Sequence, residues 1–468
     1  MSLIKISLKS WSVYSRTVKT RIPFRFGKSL LKEMPIIHLK VALDLENGEE
    51  IEGYSATGIP PLWFDKDDSK TDIQHQQNLL YSLKTALESY QKAGRGGSYS
   101  LHQNCEESIV AHGKSHKLND LTASFGQALL DNAIVDAICR LTKKPFLEIL
   151  KSGELGFPHE IEEFLPEEAT EAMSIRHTIG LLDEIHTSDI KSPLNDGLPE
   201  SLEEVLAIYN VNYLKVKVTA DVTFSIERLK KIAKLITPEM EMSITLDGNE
   251  QFSNMADFRK FYQELSGDPE LNGFFNRVIW IEEPIQRKFS LDDSVKSVLD
   301  EGLLSTPIII DESGGSKQAF PKAVELGYKG VSAKNCKGVY RTLETFVEVK
   351  KNEIIKGTPY YMSSEDLTNV PVLPFHQDIC VAAALGITHS ERNGHHFIRG
   401  FDFLSSVERR EALKEFPSLY KEMKEGTPVL NIQEGKINLK ELNQVGFGAM
   451  SKPDFDFLSP VELPTESC

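Results

Sequence analysis

Positive charge is in short supply in this chain. Its 53 Lys and Arg face 69 Asp and Glu, leaving a formal net charge of −16 over 468 residues. A surface that acidic argues against nucleic acid or an anionic membrane as the main partner, and any anionic substrate must be held by cations gathered locally. Cysteine is scarce too. The five present (Cys105, Cys139, Cys336, Cys380, Cys468) are scattered, odd in number and form no C-x-x-C pair. That argues against a disulfide framework or a zinc site and suits a reducing cytoplasm. No run of 18 or more apolar residues occurs, so no transmembrane helix is expected. The N-terminal stretch MSLIKISLKSWSVYSRTVKTRIPF lacks the apolar block of a signal peptide; it alternates apolar and polar residues and reads as a strand. Internal repeats and low-complexity segments are missing as well. What is present is ordinary for a soluble enzyme, 40% hydrophobic and 26% charged, in a chain long enough for a barrel and a second domain.

The first 120 or so residues read as an α+β unit. Strands are expected over 4–14, 36–45 and 51–54, with the Pro/Gly-bounded segment RIPFRFG between the first two. A helix follows from Ile73 to Ala93, is broken by GRGG, and a second helical stretch runs from Ser124 to Leu150. From about Ala172 the texture changes. Short β-branched runs alternate with amphipathic helical stretches: SIRHTIG, YLKVKV, MSITLDG, VIWIEEP, PIIIDES, GVSAKN, PYYMSSED and ITHSERN. Eight strand–helix units are the signature of a (β/α)₈ TIM-like barrel. Residues 157–168 and 192–204 read as loop insertions. A helical stretch after Gly400 precedes a strand-rich tail able to return to the N-terminal unit.

Three expected strands end alike, with an apolar run stopping at an acid before a turn. The acids are Asp247 in ITLDGN, Glu282 and Glu283 in IWIEEP, and Asp311 and Glu312 in IIIDES. Asp247, Glu282 and Asp311 are 35 and 29 residues apart, about one βα unit each, which puts them on successive strands at the C-terminal rim. Any one of them could simply cap the next helix. Three converging carboxylates, however, need a cation between them, and all-oxygen ligation points to Mg²⁺, with Mn²⁺ as the other candidate. One unit upstream, Lys215 and Lys217 in YLKVKV share a strand face, so both point into the barrel or neither does. Lys334 in GVSAKN stands on the strand after Asp311, while Lys337 reads as a loop or helix-start cation.

These residues suit the removal of a proton α to a carboxylate. A metal stabilises the enolate charge, and a lysine near that metal and a second ammonium is driven toward its neutral, basic form. Read in order, K-x-K, D-G-N, I-E-E-P, D-E-S and A-K-N resemble the enolase superfamily, in its muconate-lactonizing-enzyme-like subgroup with dipeptide epimerases, N-acylamino-acid racemases and o-succinylbenzoate synthases. RIPFRFG and GYSATGIPP are similar to the family's two capping loops, and ELNQVGFG to its closing segment. The resemblance implies an α+β capping domain over residues 1–123, a catalytic barrel over 124–400, and a C-terminal segment, 401–468, that returns to the cap. It implies Asp247, Glu282 and Asp311 as metal ligands, Lys217 and Lys334 as opposed acid/bases, and Lys215 as a helper at the substrate carboxylate.

The Asp-x-Asp with which dipeptide epimerases grip a substrate ammonium on the eighth strand is missing. Glu365, Asp366, His389, Glu391 and Arg392 stand near that place as candidate substrate contacts. The expected partner is a small-molecule carboxylate, acted on by a homo-oligomeric racemase or epimerase. A lyase using the same enolate, a catalytically silent binding barrel and a retaining glycosidase are the competing readings. The glycosidase leaves the lysine pair unexplained.

Overall fold

The computed structural model describes residues 3–468 apart from Pro61, Glu301, Leu303 and Glu425. The expected first domain and second capping loop therefore each include residues outside the described set. The chain begins with two long strands, Lys5–Phe26 and Ser29–Leu45, paired as an antiparallel hairpin, and Glu50–Gly58 adds to the second. RIPFRF belongs to this hairpin instead of interrupting it. Its register shifts between Lys19 and Phe24, where Pro23 has no N–H to give a ladder.

Three helices, Asp72–Ala93, Ser98–Ser115 and Asp120–Thr142, pack with one another, and the third also packs on strand Glu50–Gly58. Every residue of the third from Leu121 to Cys139 is buried, as a helix enclosed on all sides requires. Two glycines allow this packing. A Cβ on Gly53 would lie 2.0 Å from the Ala133 carbonyl oxygen, and one on Gly126 would lie 2.3 Å from the Leu83 backbone. The helical stretch expected as one piece over 124–150 is two. It ends at Lys143, which has a positive φ, and resumes after Pro145 as Phe146–Ser152. The expected division at residue 123 falls within the first of these helices.

Eight parallel strands then close into a barrel: Ala172–Ile179, Tyr213–Lys217, Ser243–Asp247, Val278–Glu282, Ile308–Ile310, Gly330–Ala333, Tyr361–Ser364 and His389–Arg392. The eighth returns to the first through His389↔Ser174 and Arg392↔His177. Register carries Lys217 to Asp247 and Asp247 to Glu282, so these three side chains share one layer at the rim. The tail is stitched into both sheets. Lys436–Asn438 pairs antiparallel with the start of the first barrel strand, and Ser459–Pro460 pairs with Tyr14 and Ser15 of the hairpin.

The insertion at 192–204 docks on that hairpin. Arg21 meets the Asp196 carboxylate at 2.6 and 2.8 Å and also donates to the carbonyls of Leu198, Pro199 and His396. The other insertion contains a short 3₁₀ turn, His159–Glu163. Among the described residues no helix is long and apolar enough to cross a membrane.

Candidate active site

Strand alternation sends Lys215, Lys217, Asp247 and Glu282 into the barrel, and all four are buried. The Lys217 ammonium donates to Asp247 Oδ2 at 2.6 Å. The backbone N–H of Asn249 donates to Asp247 Oδ1 at 2.8 Å. Asp311 stands one residue beyond its strand and accepts from Lys334, from the Ser332 hydroxyl and, at 3.0 Å, from Lys337. Lys337 also donates to the Asp311 carbonyl at 2.6 Å. It stands just before helix Val339–Lys356, as a helix-start cation would, but is a buried part of the cluster.

Lys215 is the hub. Its Nζ lies 2.9 Å from Asp247 Oδ2, 2.6 Å from Glu282 Oε2, 2.5 Å from Glu365 Oε2 and 3.1 Å from Glu391 Oε2. Its side chain is fully buried, so these carboxylates occupy the reach that a substrate carboxylate would need. Glu365 also pairs with Arg176 of the first strand at 2.5 Å and accepts from Ser363. Glu391 accepts from Thr178 Oγ1 at 2.7 Å and from the Asp366 N–H at 2.9 Å.

Electrostatics divides these groups. Burial works to raise the Asp247 carboxyl, but Lys215 and Lys217 overcome it and hold it below its ordinary value. Burial is likewise overcome at Asp311 by Lys334 and Lys337, which hold it well below the carboxylate range. Glu282 goes the other way, pushed well above that range by burial and by Asp247 and Glu365. Among the described residues Glu282 has Lys215 alone as an ion-pair partner, whereas Asp247 also has Lys217 and Glu365 also has Arg176. Lys334 and Lys215 do not show the depressed values expected of a free base. Burial would lower Lys334, but Asp311 beside it raises it, and Lys215 is held well above its ordinary value by the four carboxylates around it.

The remaining candidates separate. His389 lies deeper in the barrel, stacked on Tyr213 at 4.3 Å and near Trp280, and burial lowers its imidazole to about 3. Arg392 points to the opposite side of its strand, where it pairs with Asp378 at 2.6 Å beneath helix Leu373–Ala384. Asp366 caps backbone, accepting from the N–H groups of Asn369 and Asn393, and burial raises it to about 6. Neither His389, Arg392 nor Asp366 contacts the three acids through a described bond. Sequence reasoning missed Arg176. A charged residue at an inward position of SIRHTIG was the available signal.

The cap covers this rim. Gly27, at the hairpin tip, packs against Asn249 and Gln251, and Phe24 packs beside Gly180 and stacks on Phe397 at 4.1 Å. On the other side the Trp63 ring lies over Lys334, with 4.6 Å from ring centre to ammonium. Arg287 fixes that segment, donating to the carbonyls of Trp63 at 2.8 Å and Phe64 at 2.9 Å while paired with Glu250. Trp63 and Phe64 are both buried.

The donors suit a hard divalent cation. Three carboxylates project from successive strand ends, and buried Glu282 has the Lys215 ammonium at 2.6 Å from Oε2 but no hydrogen-bond partner on Oε1, which leaves that oxygen open to a further ligand. As the side chains stand, ammonium groups occupy the space between the acids. Among the described residues no three His, Cys, Asp or Glu side chains are grouped at metal-binding spacing.

No family model matches this chain, and no curated protein matches it. Solved structures do. Muconate lactonizing enzyme from Pseudomonas fluorescens, complexed with muconolactone, is 15% identical with a TM-score of 0.63, over 96% of this chain and 98% of that one. Dipeptide epimerase from Enterococcus faecalis V583, complexed with Mg and the dipeptide L-Leu-L-Tyr, is 17% identical with a TM-score of 0.58, over 97% and 99%. An unknown member of the enolase superfamily from the same organism is 13% identical with a TM-score of 0.60, over 97% of each chain. From capping sheet to closing tail, this chain has the fold of the enolase superfamily.

Proposed function

We propose that this protein is an isomerase of the enolase superfamily that removes and returns the proton α to the carboxylate of a small amino-acid- or dipeptide-like acid. The observation that carries the reading is the pairing of two buried lysines, one at the end of the second barrel strand and one just past the sixth, with two acids of one rim cluster: Lys217 with Asp247 and Lys334 with Asp311. Asp247, Glu282 and Asp311 would hold Mg²⁺, which supplies Lewis-acid stabilisation of the enolate charge. The fold's relatives support this choice, since the dipeptide epimerase was crystallised with Mg.

The chain's own residues perform the proton transfers. A lysine nitrogen can take a proton only after its ammonium has lost one and left its carboxylate. Lys217 and Lys334 then act in turn, one removing the α-proton and the other delivering a proton to the opposite face. Lys215, fully buried, contributes fixed positive charge. Trp63 and the hairpin tip keep water out, so the enolate is not quenched by bulk solvent.

The test has two arms. Asp247→Asn, Glu282→Gln and Asp311→Asn should each weaken Mg²⁺ binding in calorimetry while the fold persists by circular dichroism. Parent-like binding by all three would rule out the ligand set. A screen of dipeptides, N-acylamino acids and sugar acids in D₂O, read by proton NMR, should find α-deuteration without change in product formula. A product with a changed formula would instead assign a lyase.

A further inference from the structure

Lys215 stands between two pairs of carboxylates that differ in how they are otherwise satisfied. From the third and fourth strands come Asp247 at 2.9 Å and Glu282 at 2.6 Å. On the other side are Glu365 at 2.5 Å and Glu391 at 3.1 Å, from the seventh and eighth strands. That second pair is anchored independently by Arg176, Ser363, Thr178 and the Asp366 N–H. Glu282, by contrast, has Lys215 as its one ion-pair partner among the described residues and no hydrogen bond on Oε1.

The acids of the cluster already have cations against them. Its five carboxylates (Asp247, Glu282, Asp311, Glu365, Glu391) face five cations (Arg176, Lys215, Lys217, Lys334, Lys337) at ion-pair distance. A divalent cation therefore has to displace ammonium groups from the rim acids. Lys215 contacts two of the three and needs an alternative counter-charge when it gives them up, because an unpaired buried ammonium is expensive.

We infer that Glu365 and Glu391 are positioning residues for Lys215: they offer its ammonium an alternative counter-charge and so set how strongly it competes with a divalent cation for Asp247 and Glu282. This rests on the proposed reading that those acids bind such a cation. It also gives the late-strand acids a task inside the protein, distinct from gripping substrate.

The experiment is a double-mutant cycle on the full chain, with Mg²⁺ binding read by calorimetry and Mn²⁺ binding by electron paramagnetic resonance. In Glu365→Gln and Glu391→Gln, Lys215 leans harder on the rim acids, so affinity should fall about tenfold, the size of coupling expected between contacting residues. Lys215→Met should bind more tightly than the parent, and adding Glu365→Gln to it should change nothing further. Equal weakening in both backgrounds would make Glu365 a ligand and overturn the inference, as would parent-like affinity in both glutamine variants. Should Lys215→Met fail to fold, crystals of the parent with and without Mn²⁺ decide. Lys215 should leave Glu282 while keeping Glu365, and a Lys215 still bound to Glu282 beside the ion overturns it. A parent that binds no divalent cation overturns this inference together with the metal assignment; binding without coupling overturns this inference alone.

Discussion

The ammonium of Lys334 lies 4.6 Å from the centre of the Trp63 ring, so one indole both closes the site and touches a lysine assigned to proton transfer. Trp63→Phe retains an aromatic face and should remain active. Trp63→Ala should lose about 3–5 kcal/mol of stability, as truncation of a buried Trp does. It should also slow α-proton exchange more for the stereoisomer served by Lys334 than for the one served by Lys217. Urea unfolding and NMR exchange on each isomer give the two readouts. Equal slowing of both isomers would deny Trp63 any particular tie to Lys334.

The two lysines should divide the stereoisomers between them. Lys217→Ala should abolish solvent exchange of the α-proton for one enantiomer, and Lys334→Ala for the other. Both variants should still bind Mg²⁺, because neither lysine is a proposed ligand. Full activity in Lys334→Ala would remove the two-base mechanism.

Arg287 joins the barrel to the segment carrying Trp63 through two carbonyls and the Glu250 carboxylate. Lysine cannot reproduce that planar fork. Arg287→Lys should cost about 1.5–3 kcal/mol, the value of a charge-assisted hydrogen bond, and should speed amide hydrogen exchange over residues 62–66. Unchanged exchange there would mean that the segment is held by its own packing.

Stability should depend on pH through His376. This buried imidazole lies between the Gly448 carbonyl and the Tyr420 hydroxyl. Burial lowers it to about 3, against a small opposing effect of the Gly448 carbonyl. An unfolded histidine takes a proton near pH 6.5, so the unfolded state binds more protons between the two values. The contribution of His376 is therefore complete above about pH 6.5 and is lost as pH falls toward about 3. His376→Gln removes the titration. Urea unfolding should show the parent's advantage over the variant shrinking by about 1.4 kcal/mol per pH unit through this window. A constant advantage from pH 7 to 5 would contradict the assignment.

Gly126 lets helix Asp120–Thr142 approach the Leu83 backbone, which a Cβ would meet at 2.3 Å. Backbone cannot yield as a side-chain tip can, so Gly126→Ala should cost about 3 kcal/mol, at the upper end for overpacking. Thermal unfolding checks it.

The barrel and its rim were legible because their signals are local. A β-branched run ending in an acid occupies five or six residues, and the period of two places Lys215 with Lys217 without reference to any neighbour. Helix Ser98–Ser115 was missed because its buried face rests on Leu101, Cys105 and Ile109 amid Ser, His, Gln and Gly, too weak a stripe to see. Lys337 and Arg176 were missed because their partners come from other strands: Asp311, 26 residues away, for Lys337 and Glu365, 189 away, for Arg176. His389 shows the limit of alternation. It shares a strand face with Glu391, but depth along the barrel axis, which pattern does not encode, sets it against Tyr213 and Trp280.

The pairing of Ser459–Pro460 with Tyr14 and Ser15 has a consequence for birth on the ribosome. Tyr14 and Ser15, on one edge of the hairpin, wait for a partner translated more than 440 residues later. At roughly 5–20 residues per second, that edge stays open for some tens of seconds, while the barrel beneath it is still being synthesised. An unpaired strand edge recruits other chains, so the nascent protein should be most open to wrong pairing, and most in need of a chaperone, during that interval.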